Sequence, residues 1–511
     1  MSSAAVPAID IPDLLRAVSE LDREARALQI DGHWYTWSDL DGGLQALQST
    51  LQEAGLSGEF LPVAVIMRST ASTVAAVLSL LVNRQTLVTL NHMQSSQRLA
   101  ASIRDAAAAV VVGNPEDWTN ETLEATRERG MLGLSVSATD PSKIEVVCEF
   151  SMSVDEVEAA RRPGIAVSML TSGTTGPPKR IPLSYQNWSQ GIVGGLQFTS
   201  AADAQPRLRK GVALHATPLT HAGGVWRIVF TYISGRSLVL LPRFDVDAWV
   251  ALVREHRPPI VTMPPPVLQM ILDAEVAIEA LSSLKAIMVG TAPLDPALAE
   301  RFEDAYGVSV LANYGATEFA GAVASWTLAD RQQYRLDKRG SVGRAHPDVE
   351  LRVVHREDGQ PLDPGQVGLL EVKAPQLDNA RADGWLRTND LAEIDADGFI
   401  FIRGRADDAI IRGGFKVSAG EIAATLKSHP DLHDVAVVGW PDDRLGEVPV
   451  AAVELRDGAV ITPDQIREWA RENLMAYQVP AHVVLLPELP RSAMMKVDAV
   501  ALRDLIAQEL G

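Results

Sequence analysis

The sequence predicts an α/β protein. A large N-terminal domain of helix-covered sheets is followed by a small barrel-like β section and a small α+β C-terminal domain. Three observations carry this. Apolar, β-rich runs alternate with helix-periodic segments over the first four-fifths of the chain, which is the pattern of parallel strands covered by helices. Near residue 340 it gives way to GSVGRAHPDVELRVVHREDGQPLDPGQVGLLEVKAP, with short strands, Asp-Gly and Pro-Gly turns and little helix. Beyond Arg405 a compact α+β pattern takes over. A chain of 511 residues also exceeds one ordinary domain. The boundary is placed within ADGFIFIRGRADD, at 404–408, giving domains 1–404 and 405–511.

The elements follow in order. LPVAVIM (61–67) reads as a buried strand, TASTVAAVLSLLVN as a helix and TLVTLN as the next strand. AAAVVVG (107–113), SLVLLP (237–242), PIVTMPP (259–265) and AIMVG (286–290) are runs of the same kind. IEVVCEF alternates like a strand with one buried face. In the last part AGEIAATLKSHP and TPDQIREWARENL are helical, and DVAVVGWP and VPVAAVEL are strands.

Composition narrows the function. The net charge of −19 argues against nucleic acid or an anionic membrane as the main partner, while leaving room for a local basic pocket. Cys148 is the only cysteine, so an intrachain disulfide, a thiolate metal cluster and a cysteine-pair redox site are excluded. It reads as a packing residue, and its isolation suits a reducing cytoplasm. The N-terminus has no basic region followed by an apolar core, so no secretory signal is expected. The longest apolar stretch, VAAVLSLLV (74–82), is far short of the ~20 residues that span a bilayer.

LTSGTTGPPKR, from Leu170 to Arg180, is composed to hold an anion. Ser172, Thr174 and Thr175 supply hydroxyl donors, Gly173 and Gly176 let backbone N–H groups converge, and Lys179 supplies charge. The glycine spacing and the two prolines before Lys179 exclude a Walker loop. On composition alone, a phosphate cradle and a plain surface loop stand equal.

The sequence MLTSGTTGPPKRIPLS resembles the phosphate loop of the adenylate-forming enzymes, which include acyl-CoA synthetases, stand-alone adenylation domains and luciferase-like proteins. Other blocks match that family in order: NYGATEF (313–319), GWLRTNDLAEIDADGFIFIRGRADDAIIRGGFKVSAGEI (384–422), DVAVVGWPDDRLGEVPVA (434–451) and LPRSAMMKVDA (489–499). The resemblance is recognisable from about residue 165 to the end. Earlier it is loose, through GHWYTWSDL and LPVAVIM.

The resemblance implies a two-step reaction. A carboxylate attacks the α-phosphate of ATP, giving acyl-adenylate and pyrophosphate; a thiol, usually that of coenzyme A, then displaces AMP. It further implies that Thr171, Ser172, Gly173, Thr174, Thr175, Gly176 and Lys179 cradle the β- and γ-phosphates. Glu318 would hold Mg²⁺ and Thr317 would contact the α-phosphate. Gly290, Thr291, Ala292, Asn313 and Tyr314, with the adjoining Gly315 and Ala316, would bind the nucleotide. Asp390 would grip the ribose hydroxyls, with Arg405 beside it. Lys496 would bridge the carboxylate and the α-phosphate.

In the second step the mobile C-terminal domain would turn about Asp407 and bring Gly413, Gly414, Phe415 and Lys416 to the pantetheine. His221, Gly223, Gly224 and Trp226, with Phe319, Ala320 and Gly321, would form the acid pocket. Arg227 is left open between meeting a second polar group of the substrate and lying outside.

Two positions depart from the family pattern. Asn389 stands where glycine is usual, and Met494-Met495 replace a Ser/Thr-Gly pair before Lys496. Methionine does not enter positive φ cheaply, so a different loop shape or altered adenylation is expected.

The reading is an ATP-dependent ligase of coenzyme A with a hydrophobic, aryl or alicyclic acid. Alternatives are transfer to a carrier-protein thiol, a luciferase-like oxygenase and a non-catalytic adenylate-binding relative. No aspartate occupies the start of TPLTHAGG, which disfavours an amino-acid substrate.

Overall fold

The computed structural model describes residues 10–171, 179–198, 205–220, 222–377, 380–406, 409–412, 415–442, 444–492 and 495–510. The chain divides into two compact units. One is Met1–Glu350 with Lys373–Leu386; the other is Leu351–Val372 with Arg387–Gly511. The β section marked near residue 340 thus groups with the C-terminal residues from Leu351 onward.

The first unit holds two sheets. Seven strands run in the order Ile144–Cys148, Leu132–Val136, Val110–Gly113, Pro62–Ile66, Thr86–Leu90, β1 (Ile165–Thr171) and β2 (Lys179–Ser184). The five central strands are parallel and the two edges antiparallel. The runs PVAVI, TLVTL and VVVG are buried at every position, because a parallel strand covered on both faces has no polar side. At the edge, Ile144–Cys148 has a mixed exposure pattern with Cys148 at its buried end. Burial pushes that thiol upward in pKa, and it packs as the sequence suggests.

The second sheet of this unit has nine strands. Its centre is β3 (Val212–His215), Ser237–Leu240, β4 (Ile260–Met263), β5 (Ala286–Val289) and β6 (Ser309–Ala316), all parallel. After β6 the chain turns back as β7 (Gly321–Ser325), antiparallel to it. The spatial order is Arg344–Ala345, β7, β6, β5, β4, β3, Ser237–Leu240, Arg26–Ile30 and His33–Thr36.

The helix Ala71–Val82 buries 11 of its 12 residues, as a helix apolar all round must. It packs on the helices Ile11–Glu20, Trp37–Glu53 and α1 (Ala222–Ile233), and on strands of the seven-stranded sheet. Its buried Ser79 is satisfied, donating to the Leu44 carbonyl at 3.2 Å and accepting from Gln48 Nε2 at 3.1 Å.

A buried ion pair fixes the start of β6. Glu303 on α2 (Pro296–Tyr306) accepts from the Val310 N–H at 2.8 Å. It also takes both Nε and Nη2 of Arg331, on α3 (Leu328–Tyr334), at 2.8 and 2.9 Å. Three elements therefore meet on one carboxylate.

The second unit contains a four-stranded sheet of Glu350–Val354, Val367–Lys373, β8 (Leu386–Ile394) and β9 (Ile400–Arg405). Here too a fully buried acid, Glu371, is clamped, by Arg352 Nη2 at 2.7 Å and Arg387 Nε at 2.9 Å. Beyond it Phe415–Ser418, Ala409–Arg412, Gly446–Leu455 and Leu432–Asp442 form a sheet, joined by His482–Leu486. The predicted helices are Ala419–Lys427 and Pro463–Asn473, and their apolar faces share one core with that sheet. Among the described residues no helix is long and apolar enough to cross a membrane.

Leaving one member of the Glu303–Arg331 pair buried alone should cost about 3–5 kcal/mol. Arg331→Met and Glu303→Leu are each expected to lower urea stability on that scale. The double variant should lose less than the sum of the two.

Candidate active site

The C-terminal ends of β3, β4, β5 and β6 lie side by side, where open α/β sheets take their ligands. The expected nucleotide residues fall there. Gly290 follows β5 and is buried; a Cβ on it would overlap the side-chain amide of Asn313 on β6. Only glycine lets the neighbouring asparagine occupy that space. Thr291 adopts φ +71°, an uncommon backbone for a β-branched residue, and stands exposed. Ala292 and Tyr314 are half-buried, and the Tyr314 ring lies 6.0 Å from that of Phe319. Gly315 is required by the close return of β7, since a Cβ there would meet the Gly321 carbonyl.

Ala316 closes β6, and the turn to β7 is a short 3-10 segment, Thr317–Phe319, followed by Ala320 at φ +51°. Glu318 is exposed on this turn and Thr317 is half-buried. Phe319 and Ala320 are only 2% and 3% exposed and anchor the turn from beneath. Gly321 sits against Trp226, whose Nε1 would be 3.5 Å from a Cβ at that position. Among the described residues no cluster of three or more metal-ligating side chains occurs. Glu318 alone suits Mg²⁺, which binds one or two carboxylates and draws its other oxygens from phosphate and water.

Thr171 and Lys179 are register partners at the ends of β1 and β2, so the segment between them leaves and re-enters the sheet at one point. Ser172, Gly173, Thr174, Thr175 and Gly176 lie outside the described residues, as do His221, Asp407, Gly413 and Gly414. Phe415 and Lys416 open a strand, paired with Arg412 and Ile411.

Helix α1 has two faces. Val225, Ile228, Val229 and Tyr232 are fully buried in the core. Gly224 lets the helix approach the Pro218 carbonyl, which a Cβ would strike. The other face carries Gly223, open to space, then Trp226, Arg227 and Phe230. Trp226 stacks on Phe230 with centroids 4.6 Å apart, and its buried Nε1 has no hydrogen-bond partner.

Arg227 Nη2 donates to Thr262 Oγ1 at 2.7 Å. Thr262 is the register partner of His215 on β3. His215 is 2% exposed, and neither ring nitrogen finds a partner of good geometry. Burial, and then the charge of Arg227, push its pKa down to about 3, so the imidazole is neutral. The sequence reading passed over His215 and Thr262. His215 ends one apolar strand and Thr262 lies within another, one residue before its end, and nothing in either run marks them apart.

In the second unit Asp390 and Arg405 are direct cross-strand partners on β8 and β9, so both project from one face. Asn389 needs no positive φ. It lies within β8, and its carbonyl accepts from the Ala406 N–H at 2.7 Å, so the glycine-to-asparagine departure costs nothing there. The Lys496 ammonium lies below the usual lysine range, pushed first by desolvation and then by the charge of Arg405, although the residue remains exposed at the surface.

The AMP-binding enzyme model matches residues 15–379 and its C-terminal-domain model matches 421–496. The chain belongs to the AMP-binding enzyme family. A 2-succinylbenzoate–CoA ligase of Bacillus cereus is 28% identical over 98% of this chain and 99% of its own length. A 4-coumarate–CoA ligase-like protein 6 of Oryza sativa is 30% identical over 66% of this chain, and the match spans 61% of that protein. ATP-bound MatB of Rhodopseudomonas palustris has the same fold, with a TM-score of 0.82 at 24% identity, covering 98% of this chain and 100% of that one.

Met494 lies outside the described residues, while Met495 and the residues flanking Lys496 are described. Met495 donates to the Ser492 carbonyl at 2.8 Å, and Ser492 donates to the Lys496 carbonyl at 2.7 Å. Arg491 bridges to Val497. Met495 itself takes φ +58°, the left-handed conformation that glycine supplies without strain. Met495 therefore holds a glycine-like conformation at a steric cost of about 1–2 kcal/mol. Met495→Gly should recover part of it, about 1 kcal/mol, seen as a rise in thermal midpoint.

His215 also gives a pH signature. Its ordinary value is 6.5 and its folded value about 3. Below about pH 6.5 the unfolded chain takes up a proton that the folded chain refuses. Stability should therefore fall as the pH drops from about 6.5 toward 4, and His215→Gln should flatten that slope in pH-dependent urea unfolding.

Proposed function

We propose that this AMP-binding family member is an acid–thiol ligase. In this reading it activates a hydrophobic, aryl or alicyclic carboxylic acid with ATP, releases pyrophosphate, and transfers the acyl group to coenzyme A with release of AMP. Two named relatives, a 2-succinylbenzoate–CoA ligase and a 4-coumarate–CoA ligase-like protein, support it. The observation that carries it is the Asp390–Arg405 pair with Lys496 electrostatically coupled to Arg405.

The first step joins two anions, so its barrier is electrostatic and falls to groups placed around the phosphates. Lys496 neutralises the approach of the carboxylate to the α-phosphate. Its lowered pKa reflects desolvation first and the charge of Arg405 second, costs that an anionic substrate would offset. Asp390 accepts both hydroxyls of the ribose, since one carboxylate takes two hydrogen bonds. Gly290 and Asn313 leave room for the base beside Tyr314. Thr317 addresses the α-phosphate, Lys179 the outer phosphates, and Glu318 one site on Mg²⁺, which when bound screens the phosphate charge. The thiol step is assigned to the segment Gly413 to Lys416, with the hinge at Asp407. The cytoplasm is the proposed compartment.

Acid-dependent exchange of ATP with pyrophosphate, over a panel of carboxylic acids, tests the first half; coenzyme A and a carrier protein are then supplied in turn. Exchange followed by thioester formation with coenzyme A is expected. Nucleotide binding without exchange for any acid would leave a binding protein instead. Lys496→Ala should depress exchange by about 100-fold or more, and far more than thioester formation from preformed acyl-adenylate. Equal loss in both halves would remove Lys496 from its role.

A further inference from the structure

The site-facing side of α1 is built of donors. Arg227 is half-buried, with its guanidinium 5.7 Å from the Trp226 ring centroid. Its Nη2 donates to a hydroxyl, Thr262 Oγ1. Among the described residues no carboxylate pairs with it. The neighbouring His215 is neutral and brings no negative charge. Trp226 adds a second buried donor, Nε1–H, with no acceptor among the described residues. Burial pulls the arginine down to about 10, still fully charged at neutral pH.

A cation partly withdrawn from water without a counter-ion carries a desolvation cost, and a buried donor without an acceptor adds to it. Such a pair is stable in purpose only if a ligand brings the acceptors. Arg227 and Gly223 stand four residues apart on α1, hence on one face. Gly223 leaves open space above that face.

We propose that Arg227 selects an acid carrying a second carboxylate, remote from the one that is activated, which pairs with the guanidinium and is steadied by the Trp226 indole N–H. The proposal rests on the ligase reading and narrows its substrate class to aryl or alicyclic dicarboxylic acids. Arg227 acts as a specificity residue; the activated carboxylate and the phosphates lie with other groups.

Matched acids test it. Benzoate, 3-phenylpropanoate and cyclohexanecarboxylate are each compared with their ring-carboxylated counterparts, by calorimetric binding to the full chain and by ATP–pyrophosphate exchange. At least one dicarboxylate is expected to bind about 10- to 100-fold more tightly than its monocarboxylate partner, the range for a hydrogen bond to a charged group. Arg227→Met should bring that ratio close to one, and Arg227→Lys should restore part of it. The ratio is the readout, because a variant that is merely less well folded weakens both members together.

Equal affinity within every pair, binding of neither member, or a ratio unmoved in Arg227→Met overturns the proposal. An arginine-dependent ratio in binding with no exchange for any acid would keep the anion site and overturn the ligase reading, so the two failures are separable.

Discussion

The first unit depends on one buried carboxylate. Glu303 joins α2, α3 and the start of β6 through Arg331 and the Val310 N–H. From that anchor β6 runs in register with β5, which brings Asn313 over Gly290. It then turns at Thr317–Phe319 and returns as β7. The positions of Tyr314, Thr317 and Glu318 all follow from where β6 begins. Paired by two parallel N–H···O bonds, Glu303 and Arg331 fix direction as well as distance. The second unit uses the same device at Glu371, beside the strand that carries Asp390.

The wall opposite that turn has another logic. Its residues are large and apolar, yet its polar groups are held without full satisfaction: a neutral histidine, an indole N–H and an arginine bonded to a hydroxyl. In a packed interior buried polar groups are ordinarily paired. Clustered exceptions at the ends of parallel strands mark a surface made to be completed by something else.

Much of this was legible in the sequence. The buried parallel strands announced themselves, because a strand covered on both faces can be written only in apolar residues. The Asp390–Arg405 pairing was anticipated by motif, and its cross-strand register gives the physical reason. His215 and Thr262 were not legible: each is a single polar residue in an apolar strand, and only strand order places them together. Asn389 and Met495 were singled out by type alone. The backbone resolves them in opposite ways, since Asn389 is ordinary strand and Met495 is a left-handed residue. Side-chain identity signals a possible strain; the local hydrogen bonds decide whether it is present.

Met495 carries a further consequence. A residue held in an unfavourable conformation biases the equilibrium between the arrangement that holds it and any that frees it. About 1 kcal/mol corresponds to roughly a fivefold population ratio. The backbone at Met495 is therefore spring-loaded: relative to glycine at that position, this chain tilts by that factor toward states in which residue 495 has left the left-handed conformation.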